Sequence, residues 1–234
     1  MRKLRSKLTS LLAAPALIAG ALAGTSIAAP TAHAESMAAM GGGSGITLYK
    51  QGETDYYGLC SLGAIGYDKT GNLIGLTAGH CGQPGDTIGS EYFPDAGTIG
   101  TFIVSEDNPD VAIIDLDDSK VTPLRTVGGT TIDGAGAKPV FGDIVCKEGR
   151  STGRTCAHVW AQDGSYVIEH TCSIGGDSGG PVVRGTKIVG LISGGPLPFC
   201  NEPFPAPFHA PNWSVNFQDA VRVADTEANG FALF

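Results

Sequence analysis

The stretch Gly176-Asp177-Ser178-Gly179-Gly180-Pro181 decides how this chain is read. A nucleophilic serine needs a base to take its proton and backbone N–H groups aimed at the oxyanion that develops on attack. Glycines on both sides of Ser178 let the backbone turn tightly and approach a carbonyl group closely. A bare Gly-Asp-Ser-Gly arises by chance in Gly-rich turns, whereas six residues in this order are far more specific.

Working outward, a matching base lies at Leu76-Thr77-Ala78-Gly79-His80-Cys81. Histidine is the natural general base near neutral pH. His80 follows an apolar strand and precedes a cysteine able to pin its loop. Between the two motifs, Asn108-Pro109-Asp110-Val111-Ala112-Ile113-Ile114 places an acid at the opening of an apolar strand. A carboxylate there, at a barrel rim, can orient an imidazole and stabilise its charged form. Asp107 and Asp115 compete for the role. Asp107 precedes the proline turn and Asp115 lies beyond the apolar part of the strand, so Asp110 is preferred.

The order is His80, Asp110, Ser178. It differs from the Ser–Asp–His order of α/β-hydrolases and the Asp–His–Ser order of subtilisins. With its TAGHC and GDSGGP motifs, the chain resembles a chymotrypsin-family serine peptidase over roughly residues 46–217. It is most similar to the bacterial branch that includes the streptogrisins and α-lytic protease. The resemblance implies an all-β fold of two six-stranded antiparallel barrels, with His80 and Asp110 on the first and Ser178 on the second. It implies an oxyanion hole from the N–H groups of Gly176 and Ser178, and a substrate-binding wall at Ser193-Gly194-Gly195. It implies the disulfides Cys60–Cys81, Cys146–Cys156 and Cys172–Cys200. In that branch an Arg commonly holds the Asp beside the nucleophile; Lys147 or Arg150 takes that place here. The branch is usually made with a large folding pro-segment, for which the gap between Ala34 and Ile46 leaves no room. A non-catalytic member of the fold would lack a triad residue or the oxyanion glycine, and all four positions are filled.

The rest of the chain agrees with a β fold. Short apolar runs bounded by Gly, Asp, Asn or Pro recur, as in Val111-Ala-Ile-Ile-Asp-Leu116, Tyr166-Val-Ile-Glu169 and Lys187-Ile-Val-Gly-Leu-Ile192. Such runs with frequent turn signals read as a barrel or sandwich. Asp68-Lys-Thr-Gly-Asn72 reads as a hairpin turn. Residues 35–45 read as a flexible Gly-rich lead-in, about 46–122 as the first barrel, about 138–218 as the second and about 218–229 as a C-terminal helix. The whole peptidase domain is set at 46–234. The segment Pro196 to Pro211, with six prolines and three phenylalanines, reads as a surface loop.

Residues 1–34 carry the marks of a secretory signal: Arg2, Lys3, Arg5 and Lys7, then an apolar run from Leu8 to Gly24, then Ala32-His33-Ala34 as a small-x-small cleavage site. Pro15 and Gly20 interrupt the run, which argues against a membrane anchor. Removing those four basic residues leaves 11 Lys and Arg against 23 Asp and Glu, taking the formal charge from −8 to −12. A chain this acidic repels nucleic acid and anionic membranes. Six cysteines behind a signal read as three disulfides, and no Cys or His spacing fits zinc, so neither metal nor cofactor is expected. The reading is thus a secreted, extracellular, monomeric enzyme acting on protein or peptide substrates.

Specificity is read from the residues before Ser178. Cys172-Ser-Ile-Gly-Gly-Asp177 offers no acid for a basic side chain if Asp177 turns inward. Ile192 stands where Glu-directed relatives place a His. Apolar or aromatic residues on the acyl side of the cleaved bond are therefore expected, with Glu169 and His170 as the residues able to overturn this.

Overall fold

A computed structural model describes residues 37–195, 200 and 210–234. The signal segment and most of the Pro/Phe-rich loop lie outside the described residues. Strand and turn dominate, and no helix among the described residues is long and apolar enough to cross a membrane.

The early half forms one antiparallel sheet around a core of Ile46, Leu48, Ile88, Ile99, Phe102, Ala112 and Ile114. Its strands are Gly45–Tyr49, Tyr56–Ser61, Ala64–Tyr67, Leu73–Thr77, Thr87–Ser90, Thr98–Asp107 and Asp110–Leu116. The segments Tyr56–Ser61 and Ala64–Tyr67 are two arms of one bent strand, and they stand towards opposite ends of the sheet. Counted so, six strands wrap this core, and the wrap is completed through the bend rather than across a ladder. The hairpin at Asp68 forms as expected. Its carboxylate accepts the N–H groups of Thr70 and Asn72 at 2.8 and 2.9 Å, which fixes the turn between Ala64–Tyr67 and Leu73–Thr77.

The later half closes completely. Lys187–Gly194, Pro181–Arg184, Ile144–Gly149, Gly153–Asp163, Tyr166–Glu169 and Asn212–Asn216 pair in that order, and the last pairs back to the first. Val145, Val159, Val167, Val182, Val189 and Ile192 fill this barrel.

Side-chain alternation explains how the halves meet. In Asp110–Leu116, Ala112 and Ile114 point into the first core, while Val111 and Ile113 join a separate cluster with Leu76, Ile188, Leu191, Val215 and Phe217. A strand whose odd and even residues are both buried reads as a continuous apolar run, because neither face meets water. The helix Phe217–Glu227 closes over the same cluster through Phe217, Ala220 and Ala224.

One expectation is corrected. The stretch 35–45 is not a flexible lead-in where it is described. Ala38–Gly41 forms a strand pairing in parallel with Val121–Leu124, and Ala38 and Met40 are buried. A side chain at Gly41 would collide with the Leu124 carbonyl, so this glycine permits close strand contact rather than looseness.

Candidate active site

Asp110 opens its strand at the barrel rim with its carboxylate buried. It accepts the His80 ring through Nδ1 at 2.9 Å, the His80 backbone N–H at 2.9 Å and the Ser193 hydroxyl at 2.5 Å. Its own N–H donates to the Tyr166 hydroxyl at 3.1 Å, a link to the second barrel. Burial alone would raise the Asp110 pKa; the hydrogen bonds from His80 and Ser193 outweigh it and hold the group below the ordinary carboxylate value. The hydrogen bond to Asp110 in turn raises the His80 pKa above its usual 6.5, against the opposing effect of burial. With Nδ1 committed to Asp110, Nε2 is the ring atom left for proton transfer. Asp107 and Asp115 take no part in this contact.

Ser178 approaches from the second barrel. Its carbonyl accepts the Ser61 N–H at 2.8 Å, and Ser61 follows Cys60, which is bonded to Cys81 beside His80. Gly179 lies flat against Thr77 and Ala78, where any side chain would collide. These contacts bring the Ser178 backbone to the His80 loop. Ser178 Oγ makes no hydrogen bond with His80 among the described residues, and in such sites this contact commonly tightens only in the substrate complex.

The loop before Ser178 presents donors. Asp177 N–H bonds the Ile174 carbonyl and Gly179 N–H bonds the Ile192 carbonyl, but the N–H groups of Gly176 and Ser178 meet no acceptor among the described residues. Gly176 has φ of 97°, a left-handed conformation that favours glycine. Two unengaged amides beside a serine are the kind of donors that an oxyanion site requires.

Asp177 turns inward, and its partners fix the loop. Oδ1 accepts Ser151 N–H at 2.9 Å and Thr152 N–H at 3.1 Å; Oδ2 accepts Ile174 N–H at 3.0 Å and the Thr152 hydroxyl at 2.6 Å. Between the two candidates, Lys147 is the counter-ion: its Nζ lies 3.3 Å from Asp177 Oδ2, and both side chains are wholly buried. Burial pulls the Lys147 pKa down, partly offset by Asp177 and Glu148. Arg150 goes elsewhere. It forks onto both oxygens of Glu91, through Nε at 2.6 Å and through Nη2, tying the second barrel to the first. Sequence reasoning missed Ser61, whose hydroxyl takes the Arg150 N–H at 2.9 Å and donates to the Gly176 carbonyl at 2.8 Å. Its place next to Cys60 was the available signal.

The three disulfides pair as the resemblance implies. Cys60, His80 and Cys81 cluster closely enough to suggest a metal site, but the two sulfurs are bonded to each other and offer no thiolate. Ser193 and Gly194 end a strand and, with Gly195, run beside Pro211 and Asn212.

Solved structures share this fold. A Nocardiopsis protease matches with a TM-score of 0.64 at 24% identity, covering 81% of this chain and 97% of that one. A chymotrypsin from Cellulomonas bogoriensis matches with a TM-score of 0.60 at 24% identity, covering 84% and 100%. The fold is chymotrypsin-like. By sequence, this chymotrypsin-like chain is 34% identical to serine protease 1 of Rarobacter faecitabidus over 136 residues, 51% of this chain and 26% of that protein. It is 30% identical to streptogrisin-C of Streptomyces griseus over 154 residues, 59% and 32% respectively. The matched region thus spans about a third or less of either relative. No family model matches the chain. The resemblance to bacterial chymotrypsin-like serine proteases therefore holds in both sequence and fold.

Proposed function

We propose that this chain is a secreted serine endopeptidase. Ser178 Oγ attacks the scissile carbonyl carbon while its proton passes to His80 Nε2. The oxyanion is held by the N–H groups of Gly176 and Ser178. His80 then delivers the proton to the leaving amine nitrogen as the C–N bond breaks. Water, activated by the same histidine, hydrolyses the acyl-enzyme and restores Ser178. Asp110 fixes the His80 tautomer and stabilises the imidazolium. The carrying observation is the pairing of an Asp110-bound His80 with two unengaged amides flanking Asp177. Three disulfides favour an oxidising, extracellular setting. Substrates are proteins or peptides, taken by a monomer.

The wall and floor segments of the acyl-side pocket, 193–195 and 172–177, present no free charge. Asp177 is committed to Lys147, and Ile192 is buried in the barrel. Walls alone favour apolar or aromatic side chains such as Phe, Tyr, Leu or Met. What lies at the base of the pocket decides whether a charge is also read.

The base form of His80 is the active one, so kcat/KM is expected to rise with pH. Because Asp110 raises the His80 pKa, the midpoint should fall above 6.5. The check is kcat/KM on one peptide from mildly acid to mildly alkaline pH. A flat profile across neutrality would exclude His80 as base.

A further inference from the structure

The strand Tyr166–Glu169 ends three residues before Cys172, where the segment leading to Ser178 begins. Its last side chain, Glu169, is 0% exposed. Glu169 Oε1 accepts Asn212 Nδ2 at 3.2 Å, and Oε2 accepts the Ser214 hydroxyl at 3.1 Å. Asn212 Nδ2 also reaches Thr171 Oγ1 at 3.3 Å. Thr171, Asn212 and Ser214 are buried as well.

This cluster sits where the pocket-lining segments converge. Glu169 is in register with Asn212, and Ser214 with Ile192, the residue before the wall Ser193-Gly194-Gly195. A Cβ on Gly195 would meet the Asn212 Cα at 3.6 Å. Thr171 adjoins Cys172, the start of the floor. The carboxyl therefore lies at the corner where wall and floor meet and, like Asp177, is wholly buried.

One acceptor of the cluster is left without a donor. Its side-chain donors are the Asn212 amide and the hydroxyls of Ser214 and Thr171, and the first two bond Glu169. Asn212 Oδ1 is buried with no hydrogen-bond partner. Glu169 also lacks a cation. Asp86, Asp110, Asp177 and Asp219 face Lys50, His80, Lys147 and Arg222, and Glu148 lies near enough to Lys147 to affect it. Among the buried acids of the described residues, Glu169 alone faces no basic group. A buried carboxyl without a cation, with an orphaned acceptor beside it, is costly unless a donor arrives.

We propose that Glu169 is the specificity-determining residue of the acyl-side pocket and that it selects lysine or arginine. The inference rests on the peptidase reading above and replaces the apolar preference drawn from 172–177 alone, because the charge lies upstream of that segment. A guanidinium carries five N–H donors and an ammonium three, with no acceptor on either. Either supplies the counter-charge missing beside Glu169 and a donor for Asn212 Oδ1. Burial pushes the Glu169 pKa up to about 8, so at neutral pH the carboxyl releases its proton to solvent as the cation enters. A wholly buried carboxyl suits a long side chain, whose methylene stem spans the distance to it. A polar site built for a particular partner rejects a side chain lacking the matching groups by up to ~10⁴–10⁵-fold.

The test is a set of peptides differing only at the acyl-side residue, as Arg, Lys, Phe or Leu. The native protein should cleave the Arg or Lys peptide with kcat/KM at least ~100-fold above Phe and Leu, and E169Q should shrink that ratio by ~100-fold or more. Benzamidine, a small aromatic amidinium, should inhibit the native protein competitively, which decides the matter even if E169Q fails to fold. Preference for Phe or Leu with no inhibition by benzamidine, in protein that a fluorophosphonate still labels at Ser178, would overturn this proposal alone. Absence of both cleavage and labelling would overturn the peptidase reading and this proposal with it.

Discussion

Ser178→Ala is expected to lower kcat by roughly five to six orders of magnitude while leaving the fold intact. The loss is large because the triad acts as one unit. Without the hydroxyl there is no acyl-enzyme, and the Asp110-bound His80 has no nucleophile to activate. His80→Ala should cost a similar amount, and the double variant scarcely more, since either change disables the same step. Some rate above water, ~10³–10⁴-fold, should survive, because the Gly176 and Ser178 amides still stabilise a tetrahedral oxyanion formed by direct attack of water. The measurement is turnover of the best peptide by each variant, at enzyme levels high enough to resolve the residual rate. Wild-type turnover in Ser178→Ala would remove Ser178 from the mechanism.

Lys147→Ala should be the most damaging change away from the triad. It leaves the Asp177 carboxylate wholly buried without its cation. Breaking a buried pair in this way costs about 3–5 kcal/mol, far more than losing a surface ion pair. For a chain of this size, each kcal/mol lowers Tm by about 2–4 °C. Activity should fall beyond the stability loss. The same carboxylate accepts Ser151, Thr152 and Ile174 N–H groups, and so sets the loop carrying the Gly176 and Ser178 amides. Lys147→Arg should recover only part of the loss, since the wider guanidinium must fit a space filled by one ammonium. Thermal unfolding and turnover of the same samples check both effects. A Tm within about 1 °C of wild type would show that Asp177 does not depend on Lys147.

How far the sequence carried the reading depended on whether the constraint was local. His80, Asp110 and Ser178 sit in short motifs whose neighbours are fixed by turn and strand chemistry, and their order pointed to the fold. The strand Ala38–Gly41 was illegible because its partner, Val121–Leu124, lies about eighty residues away and its small residues look like a linker. The choice of Lys147 over Arg150 was legible in principle. Val145 and Lys147 share the inward face of one strand by its period of two, whereas Arg150 lies beyond the strand end. Glu169 carried the same signal, since it shares the inward face of Tyr166–Glu169 with Val167. An acid on the inner face of a barrel strand demands a partner, and that demand was readable before the partner was.

The most direct test of the account is to label the purified protein with a fluorophosphonate and map the modified residue. Attack on phosphorus requires an activated serine beside donors for the resulting phosphoryl oxygen, so one adduct reports nucleophile, base and oxyanion site together. The account predicts a single adduct on Ser178, formed faster as pH rises past the His80 midpoint and abolished in His80→Ala. Modification of a different residue, or folded protein that takes no label, would contradict it.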